Sequence, residues 1–360
     1  MSGPEPAAPT TTWPDVLTTL LRGEDLDLDR ARWAMSRIMS GDSHPVQVAA
    51  FLVALRAKGE TVAEVRGLAD VMLEHANRIE VPGPSIDIVG TGGDRQHTVN
   101  ISTMTSVVVA ATGLRVVKHG NRAASSRSGS ADVLEALGVD LGLSPAEVAT
   151  VAERAGITFC FAQAFHPAMR HAAEARANLG VPTVFNMLGP MTNPAQPSYA
   201  AVGVADARLG PLIAGVFADR GTPAAVFRGD DGLDEVTIAT TSTLWWVRDG
   251  AVGELVLDPD DLGVARSPLA AIRGAEPAFN AEVATRLFAG ERSAVRDAVL
   301  LNAGVALAVA SGATSPAPGD VLEAVRAGVS RAAQALDSGA AARTLDGWVA
   351  ATREIAGARP

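Results

Sequence analysis

Residues 86–94 have the sequence IDIVGTGGD, in which a short strand-forming run leads directly into a glycine-rich turn that ends in an aspartate. The pattern after it predicts a helix over residues 98–111, ended by Gly113. Glycines allow φ > 0 and turn successive N–H groups towards an anion, and a helix N-terminus adds further free N–H groups. The order of strand, glycine turn and helix therefore predicts an α/β unit with a phosphate site, the alternative being a tight turn with capping residues.

Short runs rich in β-branched and apolar residues recur further along the chain. The predicted strands are residues 86–89, 115–118, 158–162, 181–185, 199–204 and 224–228. Helical patterns lie between several of them, as at 131–137 and 144–155, so the sheet is predicted to be mainly parallel. Residues 244–247 and 254–257, joined through Asp249-Gly250, predict an added hairpin. In such sheets the ligand site lies at the carboxyl ends of the strands.

The N-terminal region has a different pattern. Residues 13–80 show helical periodicity without a convincing strand, with Pro14 at a predicted first helical position and a capping-box pattern at Thr61 and Glu64. The predicted organisation is a loose tail over 1–12, a helical domain over 13–80 and an α/β domain over 84–355. The apolar stripes of the helices must be buried against each other or against a second subunit.

Composition excludes several classes of protein. The 360 residues are 48% hydrophobic and 19% charged, which is not the balance of a disordered chain. The net charge of −10 argues against a protein that binds nucleic acid, although one local basic site is enough for a small anion.

Other features bear on the compartment. The single cysteine, Cys160, permits no intrachain disulfide and fits a reducing compartment. The first twelve residues lack the basic start and apolar stretch of a secretion signal. The uncharged run 298–312 contains Asn302 and many small residues, so it predicts a buried core helix instead of a membrane span. We therefore expect a cytoplasmic protein with no membrane partner.

A second polar loop follows the predicted strand at 115–118. Residues 118–122 read KHGNR and residues 125–130 read SSRSGS, ahead of another helix. Lys118 stands at the carboxyl end of a buried strand, which favours an anion site, the alternative being solvated loop charges. His119 taken alone is more often a structural histidine, so its assignment depends on its neighbours.

An acidic loop follows the predicted strand at 224–228. Residues 229–235 read GDDGLDE, and Asp234 with Glu235 are candidate ligands for Mg²⁺, which prefers a few carboxylates together with substrate phosphates. The alternative is a solvent-exposed acidic loop. No cluster of His and Cys in the sequence suggests zinc.

Arginines precede the conspicuous sequence NMLGPMTNP at residues 186–194. Arg170 and Arg176 are six residues apart, so on one helix they point in different directions, and at most one faces a shared cleft. An arginine suits a planar carboxylate because its guanidinium binds both oxygens. The alternative for either arginine is a surface ion pair.

In their order along the chain, these motifs resemble those of the anthranilate phosphoribosyltransferase family. The resemblance rests on residues 90–94, 100–103, 118–122, 186–194 and 234–235 and extends over nearly the whole chain. It implies a small helical domain with a large α/β domain of the nucleoside phosphorylase type, and a homodimer formed through the helical part, on which part of the segment 166–196 also packs. The implied reaction joins anthranilate to phosphoribosyl pyrophosphate in tryptophan biosynthesis, giving N-(5-phosphoribosyl)anthranilate and pyrophosphate, with two Mg²⁺ ions per subunit.

The resemblance also implies roles for individual residues. Lys118, Asp234 and Glu235 would be catalytic, and Ser102, Asp234 and Glu235 would bind the metal. The donor would be bound by Gly90, Thr91, Gly92, Gly93, Asp94, Thr98, Asn100, Ile101, Ser102, Thr103, Lys118 and Ser130. The acceptor would be bound by Gly90, His119, Asn121 and Arg176. The sequence departs from many relatives at 95–97 (RQH) and at Met169.

Two other functions remain open at this point. A pyrimidine-nucleoside phosphorylase has a similar architecture and a glycine-rich phosphate loop, but it needs no paired-carboxylate magnesium loop, so Asp234 and Glu235 discriminate against it. A non-catalytic nucleic-acid-binding paralogue should carry a basic stripe and degraded loops, neither of which this sequence shows.

Overall fold

A computed structural model describes residues 11–123, 127–312 and 317–358. The described residues form two compact units: one contains the residues up to His75 together with Ala168–Leu188, and the other contains Ala76–Pro167 and the residues from Gly189 onward. The first unit is helical and the second is α/β, so the fold class predicted from the sequence is confirmed. The predicted tail lies outside the described residues except for its last two, and Thr12 caps the first helix.

In the part of the chain that the structure describes, the strands are β1 (Ser85–Gly90), β2 (Arg115–Gly120), β3 (Ile157–Phe161), β4 (Tyr199–Gly203), β5 (Ala224–Gly229), β6 (Ser242–Arg248) and β7 (Ala251–Leu257). The α-helices are α1 (Trp13–Leu21), α2 (Leu28–Met39), α3 (Pro45–Lys58), α4 (Val62–Glu74), α5 (Ile101–Ala111), α6 (Ser130–Ala136), α7 (Pro145–Ala155), α8 (Ala162–Phe165), α9 (Arg170–Leu179), α10 (Phe185–Leu188), α11 (Leu209–Asp219), α12 (Pro277–Phe288), α13 (Ala294–Ala310), α14 (Pro318–Asp337) and α15 (Ala340–Gly357). None of the described helices combines the length and the apolar character that crossing a membrane requires.

The helical unit contains α1–α4, α9 and α10, and its hydrogen bonding centres on Glu64. The predicted capping box is confirmed, because the Thr61 N–H donates to the Glu64 carboxylate at 2.8 Å. The same carboxylate is fully buried, accepts from the Leu26 N–H at 2.9 Å and pairs with Lys58 at 2.8 Å. One side chain therefore ties the start of α4 to the loop between α1 and α2.

The α/β unit is built on a seven-stranded sheet of order β3-β2-β1-β4-β5-β6-β7. Strands β1 to β5 are parallel, and β6 and β7 form the predicted antiparallel hairpin at one edge. The hairpin turns at Asp249 and Gly250, both with φ > 0 (51° and 75°). Because the chain runs outward from β1 to β3 and then returns to β4 beside β1, the strand order reverses at β1. Ligands of open α/β sheets bind at such a reversal, outside the carboxyl ends of the strands.

One predicted strand is wrong, and one predicted helix starts later than expected. Residues 181–185 form no strand: Pro182 offers no N–H, and the Thr183 N–H donates to Asn186 Oδ1 at 2.9 Å in a turn that leads into α10. The helix predicted from Thr98 begins three residues later, because Thr98 forms an antiparallel bridge with Arg273. Partners distant in the sequence decide the conformation at Thr98, so local periodicity could not reveal it.

The long helix α13 is almost entirely buried, as predicted for residues 298–312. It packs closely on α14 through two glycines, Gly304 and Gly328. A Cβ on Gly328 would lie 2.5 Å from the Gly304 carbonyl oxygen, so the two backbones approach closely only because neither residue carries a side chain. This contact fixes α13 against the outer helical layer.

We expect Gly328→Ala to lower the free energy of unfolding by about 1–3 kcal/mol, because the added methyl group meets backbone that cannot move aside. Gly347→Ala is the matched control, since Gly347 lies on an exposed face of α15 with nothing within 4 Å of its added Cβ. That substitution should raise the free energy of unfolding by about 0.5–1 kcal/mol through helix propensity alone. Urea unfolding measures both, and equal effects of the two substitutions would contradict the close contact.

Candidate active site

The glycine loop leaves the carboxyl end of β1 and is held at its start by β4. The Thr91 N–H donates to the Gly203 carbonyl at 2.9 Å, and the Ala205 N–H donates to Thr91 Oγ1 at 3.2 Å. Gly92 and Gly93 follow with φ of 69° and 87°, and both are exposed. The loop therefore exposes the backbone of Gly92 and Gly93 at the edge of the sheet where the strand order reverses.

The second half of the glycine loop is held by residues 272–274. The Val99 N–H donates to the Ile272 carbonyl at 3.0 Å, and the Gly274 N–H donates to the His97 carbonyl at 2.8 Å. Arg95 and His97 have φ of 59° and 54°, a conformation that costs a non-glycine residue about 1–2 kcal/mol. The departure at 95–97 noted in the sequence thus occupies the strained part of the loop.

The acidic loop after β5 packs directly against the ends of β1 and β4. A Cβ on Gly203 would collide with the backbone carbonyl of Asp234, and a Cβ on Gly90 would collide with the Asp234 carboxylate. The Gly92 N–H donates to Asp234 Oδ2 at 2.7 Å. Gly90 was predicted as a ligand residue, and the structure gives it this steric role as well. The role of Gly203 was not predicted, since nothing near it in the sequence distinguishes it from any strand residue.

The four carboxylates of the acidic loop fall into two pairs. Asp230 accepts from Thr243 Oγ1 at 3.0 Å, and Asp231 accepts from Thr237 Oγ1 at 2.6 Å and from the Leu233 N–H at 3.1 Å. These two side chains build the loop itself. Asp234 and Glu235 instead turn towards the glycine loop and α5, so they are the carboxylates available to a ligand.

Glu235, Ser102 and Lys118 meet beside the first turn of α5. The Ser102 N–H donates to Glu235 Oε1 at 3.0 Å. The Lys118 ammonium lies 3.2 Å from Ser102 Oγ, donates to the Ile88 carbonyl and is almost fully buried. The structure thus brings together the three loops that the sequence predicted to meet, namely the glycine loop, the loop after β2 and the acidic loop.

Burial dominates the electrostatics of this cluster. It raises the pKa of Asp234 to about 7, with the neighbouring Asp94 adding to the rise, and it raises the pKa of Glu235 well above its ordinary value, with Asp234 adding to that rise. Burial lowers the pKa of Lys118, against the pull of Asp87, Glu235 and Asp234. The raised pKa values show that the ionised forms of Asp234 and Glu235 are unfavourable here, and a bound cation would stabilise those ionised forms.

The buried carboxylate of Asp87 fixes the start of the loop after β2 through hydrogen bonds. Its two oxygens accept from the His119 N–H at 3.0 Å and from the Asn193 side-chain amide at 2.9 Å. Asn193 also donates to the Val117 carbonyl at 2.7 Å, so the 186–194 motif supports β1 and β2. Burial raises the pKa of Asp87 to about 6, and the sequence analysis had assigned Asp87 no role.

The His119 ring is buried and neutral. Burial, with nearby His166 adding to the effect, lowers its pKa to about 3. Its Nδ1 lies 3.0 Å from the Gly189 carbonyl oxygen, and its Nε2 is buried without a hydrogen-bond partner among the described residues. A buried ring nitrogen without a partner suits a polar ligand atom. Asn121, two residues further on, is exposed.

The remaining predicted donor residues lie around the start of α5. Asn100 precedes α5, and its side chain bonds Ser128 and the buried Asn280, whose amide donates to Asn100 Oδ1 at 2.9 Å. Asn280 was not predicted. The other positions are Asp94 and Thr98 in the glycine loop, Ile101 and Thr103 in α5, and Ser130 at the start of α6. Ser125 and Ser126 lie outside the described residues.

Arg176 belongs to the helical unit. Its guanidinium lies 5.2 Å from the centre of the Phe185 ring, and burial lowers its pKa. No carboxylate of the described residues forms an ion pair with it, so the surface-ion-pair alternative fails for Arg176. Arg170, six residues earlier, is exposed.

The donor set fits a magnesium ion that shares its ligands with a substrate. No group of three or more His, Cys, Asp and Glu side chains in the described residues is arranged to hold a metal alone. Asp234, Glu235 and Ser102 supply hard oxygen donors; Glu235 is buried, Asp234 is partly exposed, and the pKa values of both carboxyl groups are raised. Mg²⁺ completes such a partial site with phosphate oxygens and water.

We expect Asp234 and Glu235 to contribute a fall in the free energy of unfolding of chelator-treated protein as the pH rises from about 4 to about 7, whereas the buried, neutral His119 contributes a rise over the lower part of that range. Over this range the unfolded chain has released the protons that folded Asp234 and Glu235 retain, so deprotonation opposes folding. Asp234→Asn should remove part of that fall, so its free energy of unfolding should increase relative to that of the wild type as the pH rises, whereas Asp261→Asn, at an exposed position, should stay parallel to the wild type. Urea titrations across the range measure it, and an unchanged slope in Asp234→Asn would contradict the buried-carboxylate analysis.

Models of two protein families match the chain. The helical bundle domain of a glycosyl transferase family matches residues 14–76, and the a/b domain of a glycosyl transferase family matches residues 82–342. Together they extend over both compact units.

Relatives and solved structures carry a common name. The anthranilate phosphoribosyltransferase of Streptomyces griseus is 59% identical over 95% of this chain and 95% of that protein, and that of Nocardioides sp. is 60% identical over 95% and 99%. The crystal structure of the Thermus thermophilus anthranilate phosphoribosyltransferase superposes with a TM-score of 0.87 at 41% identity, covering 94% of this chain and 99% of that one. The Saccharomyces cerevisiae anthranilate phosphoribosyltransferase in complex with PRPP and Mg superposes with a TM-score of 0.85 at 27% identity, covering 95% and 98%. The chain belongs to the anthranilate phosphoribosyltransferase family.

Proposed function

We propose that this chain transfers the phosphoribosyl group of phosphoribosyl pyrophosphate to the amine of anthranilate, releasing pyrophosphate, in tryptophan biosynthesis. The observation that carries the proposal is the meeting of the glycine loop, Lys118 and the Asp234–Glu235 pair at the reversal of strand order. The names of relatives that are 59–60% identical support the same reaction.

The donor is assigned to the edge of the sheet formed by the glycine loop and α5. Its phosphates would bind the N–H groups of Gly92 and Gly93, with the Gly92 N–H leaving Asp234 as it does so, together with the first turn of α5 and the Lys118 ammonium. Asp94 would bind the ribose hydroxyls, for which a carboxylate is a suitable acceptor. The full donor set is the one predicted from the sequence: Gly90, Thr91, Gly92, Gly93, Asp94, Thr98, Asn100, Ile101, Ser102, Thr103, Lys118 and Ser130.

Magnesium is assigned to Ser102, Asp234 and Glu235, with two ions per subunit. When bound, Mg²⁺ stabilises the negative charge that develops on the departing pyrophosphate. The support from this chain is the hard-oxygen donor set and the excess of buried negative charge. The Saccharomyces cerevisiae relative was solved in complex with PRPP and Mg.

The residues of this chain have to align the two substrates and stabilise the negative charge of the leaving pyrophosphate. They do not have to remove a proton from the amine before it attacks. The anthranilate nitrogen bonds to ribose C1′ as the C1′–O bond to pyrophosphate breaks, and the nitrogen, positively charged once bonded, then releases one proton to pyrophosphate or water. Because the aromatic amine is neutral near pH 7, its attack needs no strong base. Lys118 places a fixed positive charge beside the leaving group. Alignment of the reactants contributes several kcal/mol through effective concentration, on the order of 7–11 kcal/mol at best.

The acceptor is assigned to Gly90, His119, Asn121 and Arg176. The neutral His119 ring offers its unpartnered Nε2 to a polar atom, and Arg176 is a guanidinium without an acidic partner among the described residues, suited to bind both oxygens of the anthranilate carboxylate. The Saccharomyces cerevisiae relative, 26% identical with a TM-score of 0.83, was solved in complex with 4-fluoroanthranilate.

The alternatives are less well supported. A pyrimidine-nucleoside phosphorylase has no need for buried Asp234 and Glu235 beside the phosphate loop. A nucleic-acid-binding paralogue is opposed by the net charge of −10 and by the assembled loops.

We also propose a cytoplasmic homodimer, with 13–80 as the dimerisation domain, on which part of the segment 166–196 packs, and the rest of 84–355 as the transfer domain. On α1 and α3 the apolar side chains of Leu21 and Val46 are 78% and 68% exposed, and burying them against a second copy would be favourable. The location is supported by the single, buried Cys160, which no disulfide uses.

The direct test mixes the protein with Mg²⁺, phosphoribosyl pyrophosphate and anthranilate and follows the loss of anthranilate fluorescence. We expect Asp234→Ala with Glu235→Ala to lower kcat at least ~100-fold and to abolish the response to added Mg²⁺, while circular dichroism shows a folded protein. Asp260→Ala with Asp261→Ala removes an exposed acidic pair of the same unit and should change little. No turnover by folded wild-type protein would refute the reaction, and full activity of the first double variant would refute the metal assignment.

For the acceptor site, we expect Arg176→Gln to raise the KM for anthranilate ~10-fold or more while leaving the KM for phosphoribosyl pyrophosphate nearly unchanged. Arg176→Lys keeps the charge but not the paired donors, so its effect should be intermediate. Arg170→Gln, at an exposed position on the same helix, is the control. A matching rise in both KM values would show that Arg176 supports the fold and does not bind anthranilate.

A further inference from the structure

We propose that Asn302, a residue of α13 outside the loops of the site, positions Asp234 and Glu235 to bind Mg²⁺. The inference rests on the proposed function and extends it to a residue that binds neither substrate. Asn302 is therefore a positioning residue and not a catalytic one.

The Asn302 side chain forms two hydrogen bonds with the backbone of Val236, the residue that follows Glu235. The Val236 N–H donates to Asn302 Oδ1 at 2.9 Å, and Asn302 Nδ2 donates to the Val236 carbonyl at 2.9 Å. Nδ2 also donates to the Ala298 carbonyl, one helical turn earlier, at 2.9 Å. With 1% of its surface exposed, the amide has its acceptor oxygen and both of its N–H donors engaged.

These two hydrogen bonds give the Val236 backbone the partners that a helix or strand would otherwise supply. Residues 230–239 form neither helix nor strand, yet Val236 is 1% exposed and cannot turn its N–H and carbonyl to water. Two bonds to one residue are what a neighbouring antiparallel strand would supply. Since an unsatisfied buried backbone group is strongly unfavourable, the position of Val236 follows that of Asn302.

The metal-binding pair is thus fixed on both sides. Before it, the backbone of Asp234 lies against Gly203, where not even a methyl group would fit. After it, Val236 is attached to α13, which is itself packed on α14 through Gly304. Only Glu235 lies between the attachments at Asp234 and Val236, so a shift at Val236 moves Glu235 relative to Ser102 and Lys118.

The placement of the amide has no other evident reason. Asn302 is the one polar side chain between Ala298 and Ala310, in a helix where leucine or alanine would pack without the cost of burying an amide. The hydrogen bond from Asn302 Nδ2 to the Ala298 carbonyl does not by itself explain an asparagine at this position. That bond only provides an acceptor for an N–H group that the asparagine side chain itself places in the core.

The principal test measures metal binding directly. Mn²⁺ serves as the probe and pyrophosphate completes the site, with free Mn²⁺ followed by electron paramagnetic resonance. We expect Asn302→Ala to weaken Mn²⁺ binding ~10-fold, the lower end of what loss of an orienting partner costs a metal site. Val305→Ala, a cavity-forming change at a buried position of the same helix, is matched for loss of stability by thermal unfolding and should bind Mn²⁺ as the wild type does.

Kinetics supply the second readout. In Asn302→Ala the Mg²⁺ concentration for half-maximal turnover should rise ~10-fold, while the KM for anthranilate stays within about twofold of the wild-type value. Equal changes in both variants, or wild-type Mn²⁺ binding by Asn302→Ala, would overturn the role of Asn302. Wild-type protein that binds Mn²⁺ but does not consume anthranilate would instead refute the proposed function and leave the binding comparison valid.

Hydrogen exchange of the unaltered protein covers the case in which Asn302→Ala does not fold. The Val236 amide should exchange as slowly as the interior amides of α13, because opening it requires leaving the core. Exchange as fast as that of the exposed Gly92–Gly93 segment would overturn the proposal.

Discussion

The active site depends on the close approach of one loop backbone to the ends of two strands. At Gly203 and Gly90 the sheet has no side chains, and the backbone and carboxylate of Asp234 occupy the space that a Cβ would fill. This contact brings a loop from β5 over β4 to β1, so that its carboxylates reach the glycine loop and α5. Without it, the charged residues would project from separate strand ends with nothing to bring them together.

The same approach gathers negative charge at a site where Glu235 is buried and Asp94 and Asp234 are only partly exposed. Three carboxylates, Asp94, Asp234 and Glu235, share this space with one buried ammonium, and the pKa values of Asp234 and Glu235 rise in consequence. Such a cluster is unfavourable for folding and favourable for binding a cation that comes with phosphates. The polar residues beneath it, including Asp87, Asn193 and Asn280, are satisfied by hydrogen bonds and keep the loops from relaxing away from each other.

The fold class and five of the six predicted alternating strands could be predicted from the sequence. Runs of β-branched residues, glycines that end helices and capping boxes are local signals. Sequence reasoning also predicted that the loops meet, since parallel strands end at one edge. It failed at 181–185, where Pro182 and a side-chain hydrogen bond override β propensity, and at Thr98, which pairs with the distant Arg273. Gly203 and Asn280 were missed because their roles are defined by what packs against them, and the sequence carries no sign of those neighbours.

The bond between the Gly92 N–H and Asp234 Oδ2 joins a group that we propose binds a donor phosphate to a group that we propose binds Mg²⁺. Within the chain each group serves as the other's partner. A phosphate that takes the N–H leaves the carboxylate without its donor, and a metal that takes the carboxylate leaves the N–H without its acceptor. Either ligand alone breaks the hydrogen bond and leaves one of the two groups, the Gly92 N–H or the Asp234 carboxylate, without a partner. When both ligands are bound, both groups have partners. Thermodynamic linkage then makes each ligand raise the affinity of the other by the same factor, so the site favours the metal–phosphate complex over its separate components.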